Sequence, residues 1–151
     1  MGSKIGIFAF LVLTLTLSSY RVFAQDRGTL TDKRLKITIG NTVLTAVLID
    51  NETTRDFLTL LPMTVKASDY VSREKYWHLP RALALTSDRQ SEYERGDLGF
   101  WIPNNDMALF YNHDGSALPN PGLIVIAKIT SGLNVFNQYP GSANFKIELA
   151  E

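Results

Sequence analysis

The sequence predicts a mainly β fold: a closed antiparallel β-barrel of about eight strands with two short capping helices. Three observations carry that expectation. Short segments along the chain either alternate apolar and polar residues or run in β-branched stretches. Gly, Pro, Asn and Asp mark turns between them at close intervals. Two segments read as helices, 51–61 and 131–136, and helices that short hold only when packed on a sheet.

Residues 1–24 stand apart from this fold. Lys4 gives a positive start, Ile5 to Leu17 is almost wholly apolar, and Val22-Phe23-Ala24 ends on a small residue. This is the layout of a secretory signal peptide. The apolar run is shorter than the roughly 20 residues of a membrane span. The expectation is cleavage after Ala24, a secreted or periplasmic product, and no membrane attachment after signal cleavage. Residues 25–34 (QDRGTLTDKR) then read as a flexible leader and 35–151 as one domain.

Within that domain, Leu35 to Ile39 alternates as a half-buried strand, Gly40-Asn41 turns, and Thr42 to Ile49 is a second strand, giving a hairpin. Asn51 or Thr53 caps a helix that Pro62 ends, with Asp56 in a capping-box position and Phe57, Leu60 and Leu61 on one face. Met63 to Asp69 alternates again. Tyr70 to Pro80 has no clear period, Ala82 to Leu85 is a short strand candidate, and Ser87 to Gly96 reads as a solvated loop. Leu98–Ile102 and Met107–Tyr111 read as strands joined by Pro103-Asn104-Asn105-Asp106. After the turn-rich 112–122 come the strand Leu123–Ile129, a helix at 131–136 and a closing strand carrying Phe145, Ile147 and Leu149.

Composition excludes several chemistries. With no cysteine there are no disulfides, thiolate metal sites, iron–sulfur clusters or cysteine nucleophiles. Two histidines cannot build a histidine-rich metal cage, so neither metal nor cofactor is expected. Lys4 and Arg21 are the only charged side chains before residue 25, so 13 of the 15 basic residues and all 15 acidic ones follow. No basic cluster exceeds Lys33-Arg34, which argues against nucleic acid and against an anionic membrane surface as partners.

The run LIVIAKITSGLNVFNQ from Leu123, followed by NFKIEL, resembles the C-terminal third of the cyclophilins: Ile126-Ala127-Lys128-Ile129 as the strand, Gly132 as the turn, Val135-Phe136 in the short helix. Thr54, Phe57 and Leu60 hold the spacing of the cyclophilin first helix. Phe110, or otherwise Tyr111, takes the place of the pocket phenylalanine. Tyr70 to Ala82 lacks the arginine-bearing catalytic string of that family, and 112–122 lacks its loop tryptophan and histidine. The chain after residue 24 resembles more closely the small bacterial cyclophilin-like family of unassigned function. Four segments carry that likeness in order: Asp50–Pro62, Ser68-Asp69-Tyr70, Lys75–Pro80 and Gly96-Asp97. The resemblance implies the barrel, and not isomerase activity.

The candidate groove therefore lies between the Tyr76–Arg81 segment and the Phe100–Tyr111 strands. Tyr76, Trp77 and His78 form the richest recognition cluster, which also reads as two rings capping the barrel with His78 satisfying a buried backbone group. Alternation sends Phe100 and Trp101 to opposite faces, one core and one groove; Phe110 and Tyr111 complete the candidate groove. A prolyl isomerase needs an arginine aimed at the amide as it loses resonance, and Arg81, or Arg73, is the only choice nearby; both also read as surface arginines. Asn112-His113-Asp114-Gly115 reads as a turn, and Asp69 with Asp97 offers no fixed carboxylate pair. The functional expectation is a module binding an unidentified small molecule or peptide, the alternative a divergent peptidyl-prolyl isomerase.

Overall fold

Alternation decides how the strands close. The computed structural model describes Gly2 and residues 29–150, so the segment read as a signal peptide lies, Gly2 apart, outside the described residues. Eight strands follow in order: β1 (Arg34–Ile39), β2 (Thr42–Leu48), β3 (Met63–Tyr70), β4 (Glu74–His78), β5 (Asp97–Trp101), β6 (Asp106–Phe110), β7 (Leu123–Ile129) and β8 (Ala143–Leu149). They form a closed antiparallel barrel in the order β1-β2-β7-β5-β6-β4-β3-β8. Closure leaves no free sheet edge. The β1–β2 hairpin turns at Gly40-Asn41, pairing Ile39 with Thr42. Inward residues of every strand, among them Leu35, Ile37, Leu98, Phe100, Leu109 and Phe145, fill the interior.

Helix α1 (Glu52–Leu58) covers one part of the barrel. Asn51 is its cap, accepting from the Thr54 N–H at 2.8 Å, while Asn51 Nδ2 donates to the Val125 carbonyl of β7 at 3.0 Å. One side chain thus ends the helix and ties it to the sheet. Phe57 is wholly buried beneath it. Asp56, placed by its spacing in a capping box, instead accepts from Arg81 and from the Ala84 N–H.

Four local expectations are corrected. The aperiodic 70–80 segment contains β4. Ala82 to Leu85 is not a strand: its backbone groups bond to α1 side chains instead, Ala84 N–H to Asp56 and the Ala84 carbonyl to Thr53 Oγ1 at 2.7 Å. The second helix is a 3-10 turn over Leu133–Gln138. The polar leader is folded from Leu30, which opens a 3-10 turn (Leu30–Asp32) and is buried in the core.

Candidate functional site

Adjacent residues on β4, β5 and β6 face opposite ways, and the outward set makes a cavity. The register sets Tyr76 beside Ala108 and Glu74 beside Phe110 on β4–β6, and Gly99 beside Ala108 and Trp101 beside Asp106 on β5–β6. All but Gly99 line a cavity of about 350 Å³ on the outside of the barrel, with Leu123 of β7 and Leu118 and Pro119 from the loop between β6 and β7. That volume suits a small molecule or a few residues of peptide. Its floor stays low because Ala108 is small and Gly99 has no side chain. A Cβ on Gly99 would meet the Leu123 side chain at 2.5 Å.

A second apolar cluster, separate from the barrel interior, supports this face: Tyr93, Ala108, Phe110, Leu118, Leu123 and Val125. Two loops cover its end. Leu118 N–H donates to the Ser91 carbonyl at 2.7 Å, and the Gln90 and Leu123 backbones bond reciprocally. Tyr93 stacks on Phe110 at 4.2 Å between ring centres, and His113 on Tyr93 at 4.5 Å. Tyr93 also donates to Asp114 at 2.8 Å, so the 112–122 loop is fastened to the stack. His113 Nδ1 accepts from the Gly115 N–H and Asp114 from the Ser116 N–H, which makes 112–116 a hydrogen-bonded turn.

The cavity holds one cation and two carboxylates. The guanidinium of Arg73 lies 5.8 Å from the Phe110 ring centre and 5.4 Å from those of Tyr70 and Tyr93. It bonds to Glu74 at 2.8–2.9 Å and to Asp114 and Ser116 at 3.3 Å. Burial pushes the Glu74 carboxyl above its usual range, a cost that Arg73 only partly offsets. Arg73 gains more from its carboxylates than it loses by burial, so its pKa rises. At the far end Asp106, almost wholly buried, pairs with Nδ1 of His78, whose side chain is 73% exposed. Asp114 is held well below the usual carboxylate range, first by the Ser116 hydroxyl and N–H, then by Tyr93.

Of the residues expected to form the groove, Tyr76 and Phe110 line this cavity, and His78 adjoins it through Asp106. Trp77 and Phe100 do not. Both point inward by alternation, and Trp77 packs edge-on against Phe145 at 5.6 Å inside the barrel. Trp101 is accordingly the groove member of the Phe100-Trp101 pair. Tyr111 also turns inward: its hydroxyl donates to Asp69 at 2.6 Å and its ring lies 5.0 Å from that of Phe136. Arg81 is engaged on α1, with Asp56 at 2.6–2.8 Å and Thr59 at 2.9 Å, outside the cavity lining. Arg73 is therefore the arginine that shares a cleft with Phe110.

Tyr70, Glu74, Asn104, Asp106 and Ala108 line the cavity without having been singled out by sequence. A period-2 reading of EKYWH against DMALF carries the signal, since it places Glu74, Tyr76, Asp106 and Ala108 with Phe110. Lys75, facing inward between Glu74 and Tyr76, masks it. Among the described residues, no three or more His, Asp and Glu side chains group as a metal site, and no helix is long and apolar enough to cross a membrane.

The four segments behind the family resemblance prove to be structural clasps. Lys75 Nζ reaches Asp69 of the Ser68-Asp69-Tyr70 segment at 2.7 Å. Asn51 and Thr54 clasp α1 to β7. Gly96 holds φ at +100° with the Ile129 carbonyl so near that a Cβ would stand 2.1 Å from it, and Asp97 accepts from the Glu94 N–H at 2.7 Å. These bonds fix the barrel and the loops around the cavity.

Comparison with known proteins agrees with this architecture. The solution structure of the hypothetical protein AF2241 from Archaeoglobus fulgidus superposes with a TM-score of 0.66 at 21% identity, covering 83% of this chain and 99% of that one. At that identity the likeness speaks to the fold. No curated protein matches the chain. The sequence profile of the cyclophilin-like family matches residues 37–148, from β1 through β8. The chain thus belongs to the cyclophilin-like family.

Proposed function

We propose that this chain is a secreted, non-enzymatic module that binds a small molecule or a short peptide in the cavity outside β4, β6 and β5. The observation carrying this reading is the cavity itself: about 350 Å³, with aromatic walls at Tyr76, Trp101 and Phe110 over a floor at Ala108. Such concave, mostly apolar sites with a few placed polar groups are how proteins hold small ligands. Secretion rests on the sequence of residues 1–24. Intact mass of exported protein should begin at Gln25; recovery of the uncleaved chain in membranes would overturn that part.

The binding test is a fragment titration followed by NMR. Bound fragments should shift the Ala108 and Trp101 resonances and raise the thermal midpoint, because only the folded state binds. Ala108→Leu, which fills the floor, should abolish the shifts in a protein that stays folded. A library that perturbs neither residue would overturn the reading.

A second reading, divergent prolyl isomerisation, is favoured by one observation: Arg73 and Phe110 share the cavity. Catalysis needs donors free to meet the amide as it loses resonance. The Arg73 donors already meet Glu74, Asp114 and Ser116. An X-Pro peptide should therefore relax at its uncatalysed rate, over roughly tens to hundreds of seconds. Acceleration that Arg73→Ala removes from a folded protein would replace the binding reading with this one.

A further inference from the structure

The charges of the cavity differ in how completely they are balanced. At one end Arg73 and Glu74 answer each other, and Asp114 adds a second carboxylate on the guanidinium. At the other end Asp106 faces the cavity and, among the described residues, no lysine or arginine pairs with it; its partner is the exposed imidazole of His78. Asp106 lies four residues along β6 from Phe110, opposite Glu74, so the two ends are about 13 Å apart at strand spacing. Between them Tyr76 and Trp101 line the cavity on either side of Ala108 in the register. A carboxylate that is almost wholly buried beside aromatic rings selects for positive charge twice. It offers an ionic acceptor in a poorly solvated place, and the ring faces attract a cation. An anion entering here would meet Asp106 directly, and at the other end an arginine already answered by two acids.

We infer that the cavity takes a cationic ligand: an ammonium or guanidinium group seated on Asp106, with its apolar body lying over Ala108 between Tyr76 and Trp101. This rests on the binding reading above and names the chemical class that the site selects. It applies equally to a free amine and to a basic side chain of a peptide, whose shared chemistry is the cation on an apolar stem.

Three probes of matched size separate charge from shape: 2-phenylethylamine, 2-phenylethanol and 3-phenylpropionate, each titrated by NMR against the full domain. The amine should bind on the order of tenfold more tightly than the alcohol, as a charge-assisted hydrogen bond does over a neutral one. The carboxylate should be weakest. Asp106→Asn should bring the amine to the level of the alcohol. Glu74→Gln should leave the amine's advantage in place. Added salt should weaken the amine alone.

Equal or tighter binding of the carboxylate, or an amine preference that survives Asp106→Asn, would overturn the inference while leaving a binding cavity at these residues. So would loss of the preference in Glu74→Gln alone. Failure of all three probes to shift Ala108 or Trp101 would also overturn it. The fragment titration with Ala108→Leu then decides separately whether the cavity binds anything. Lysyl and arginyl tripeptides, run beside 2-phenylethylamine, distinguish a peptide from a free amine as the source of the cation.

Discussion

The two faces of the β4–β6–β5 sheet treat charge in opposite ways. Inside, Lys75 is wholly buried, and its ammonium donates to Asp69 at 2.7 Å and to the Tyr139 and Gly141 carbonyls at 2.5 Å. An ammonium has three donors, and all three are used. Asp69 is also met by Tyr111 and by the Ser72 N–H. Burial raises the Asp69 pKa, but these donors together outweigh it, and the carboxyl stays below its usual range. Outside, one residue away on the same strand, Glu74 has its pKa raised, and Asp106 leans on an exposed imidazole. The inner face closes its charged groups on one another, with every ammonium donor of Lys75 used. The outer face leaves Asp106 paired with an imidazole beside aromatic side chains, and the proposed cation site rests on that difference.

This contrast breaks most readily at Lys75. Lys75→Met removes the ammonium and leaves Asp69 and two carbonyls short of a donor. Breaking a buried ion pair from one side costs about 3–5 kcal/mol, and urea melts should show a loss of that size. Adding Asp69→Asn should recover part of it, because the uncompensated charge goes with the carboxylate. A single-variant loss below about 1 kcal/mol would mean that the inner network is no tighter than a surface pair.

The neighbours Tyr76 and Trp77 test the faces themselves. Trp77→Ala empties the barrel beside Phe145 and should cost about 3–5 kcal/mol. Tyr76→Ala should cost roughly 1 kcal/mol or less while weakening any cavity ligand, since its ring lines the cavity wall. Trp77→Phe offers a finer comparison. Trp77 Nε1 is buried without a hydrogen-bond partner, so the smaller ring removes an unanswered donor along with some volume. Its loss should be well below that of Trp77→Ala. Equal costs for Tyr76→Ala and Trp77→Ala would abolish the assignment of faces.

Much of the barrel was legible because most strands keep their period: β1, β2 and β8 each bury alternate residues. The site was less so, for identifiable reasons. In β6 every residue is buried, because the second apolar cluster covers its outer face, so burial pattern alone does not say which way Phe110 points. In β4 a lysine faces inward, against the rule that charge faces water, and that reversal hid the strand and sent Trp77 to the groove on paper. Ala82 to Leu85 alternates like a strand, but Asp56 and Thr53 of α1 had already taken the backbone groups that a ladder would need. Arg73 and Arg81 look alike in sequence. Only the fold separates the one beside Phe110 from the one on α1.

The smallest expected effect concerns Glu74, where the outer face bears its own cost. Burial dominates there and raises the carboxyl above the ordinary value of 4.5. A raised carboxyl pKa means that the folded state prefers the protonated acid. Its contribution to stability is therefore fully present below pH 4.5 and is lost as pH rises through the folded-state value. Glu74→Gln keeps the shape and cannot ionise. Against the parent protein it should lose stability near pH 4, where the parent keeps its neutral acid, and draw level or ahead toward pH 7. Arg73 retains Asp114 and Ser116 in the variant, so the guanidinium is not abandoned. The crossover should amount to roughly 1 kcal/mol or less, the scale of a single partly solvated ion pair. Urea midpoints from pH 4 to 7 would read it directly. A Glu74→Gln deficit that grows with rising pH would reverse the sign, making the Arg73–Glu74 pair a net stabiliser and the outer face as self-satisfied as the inner one.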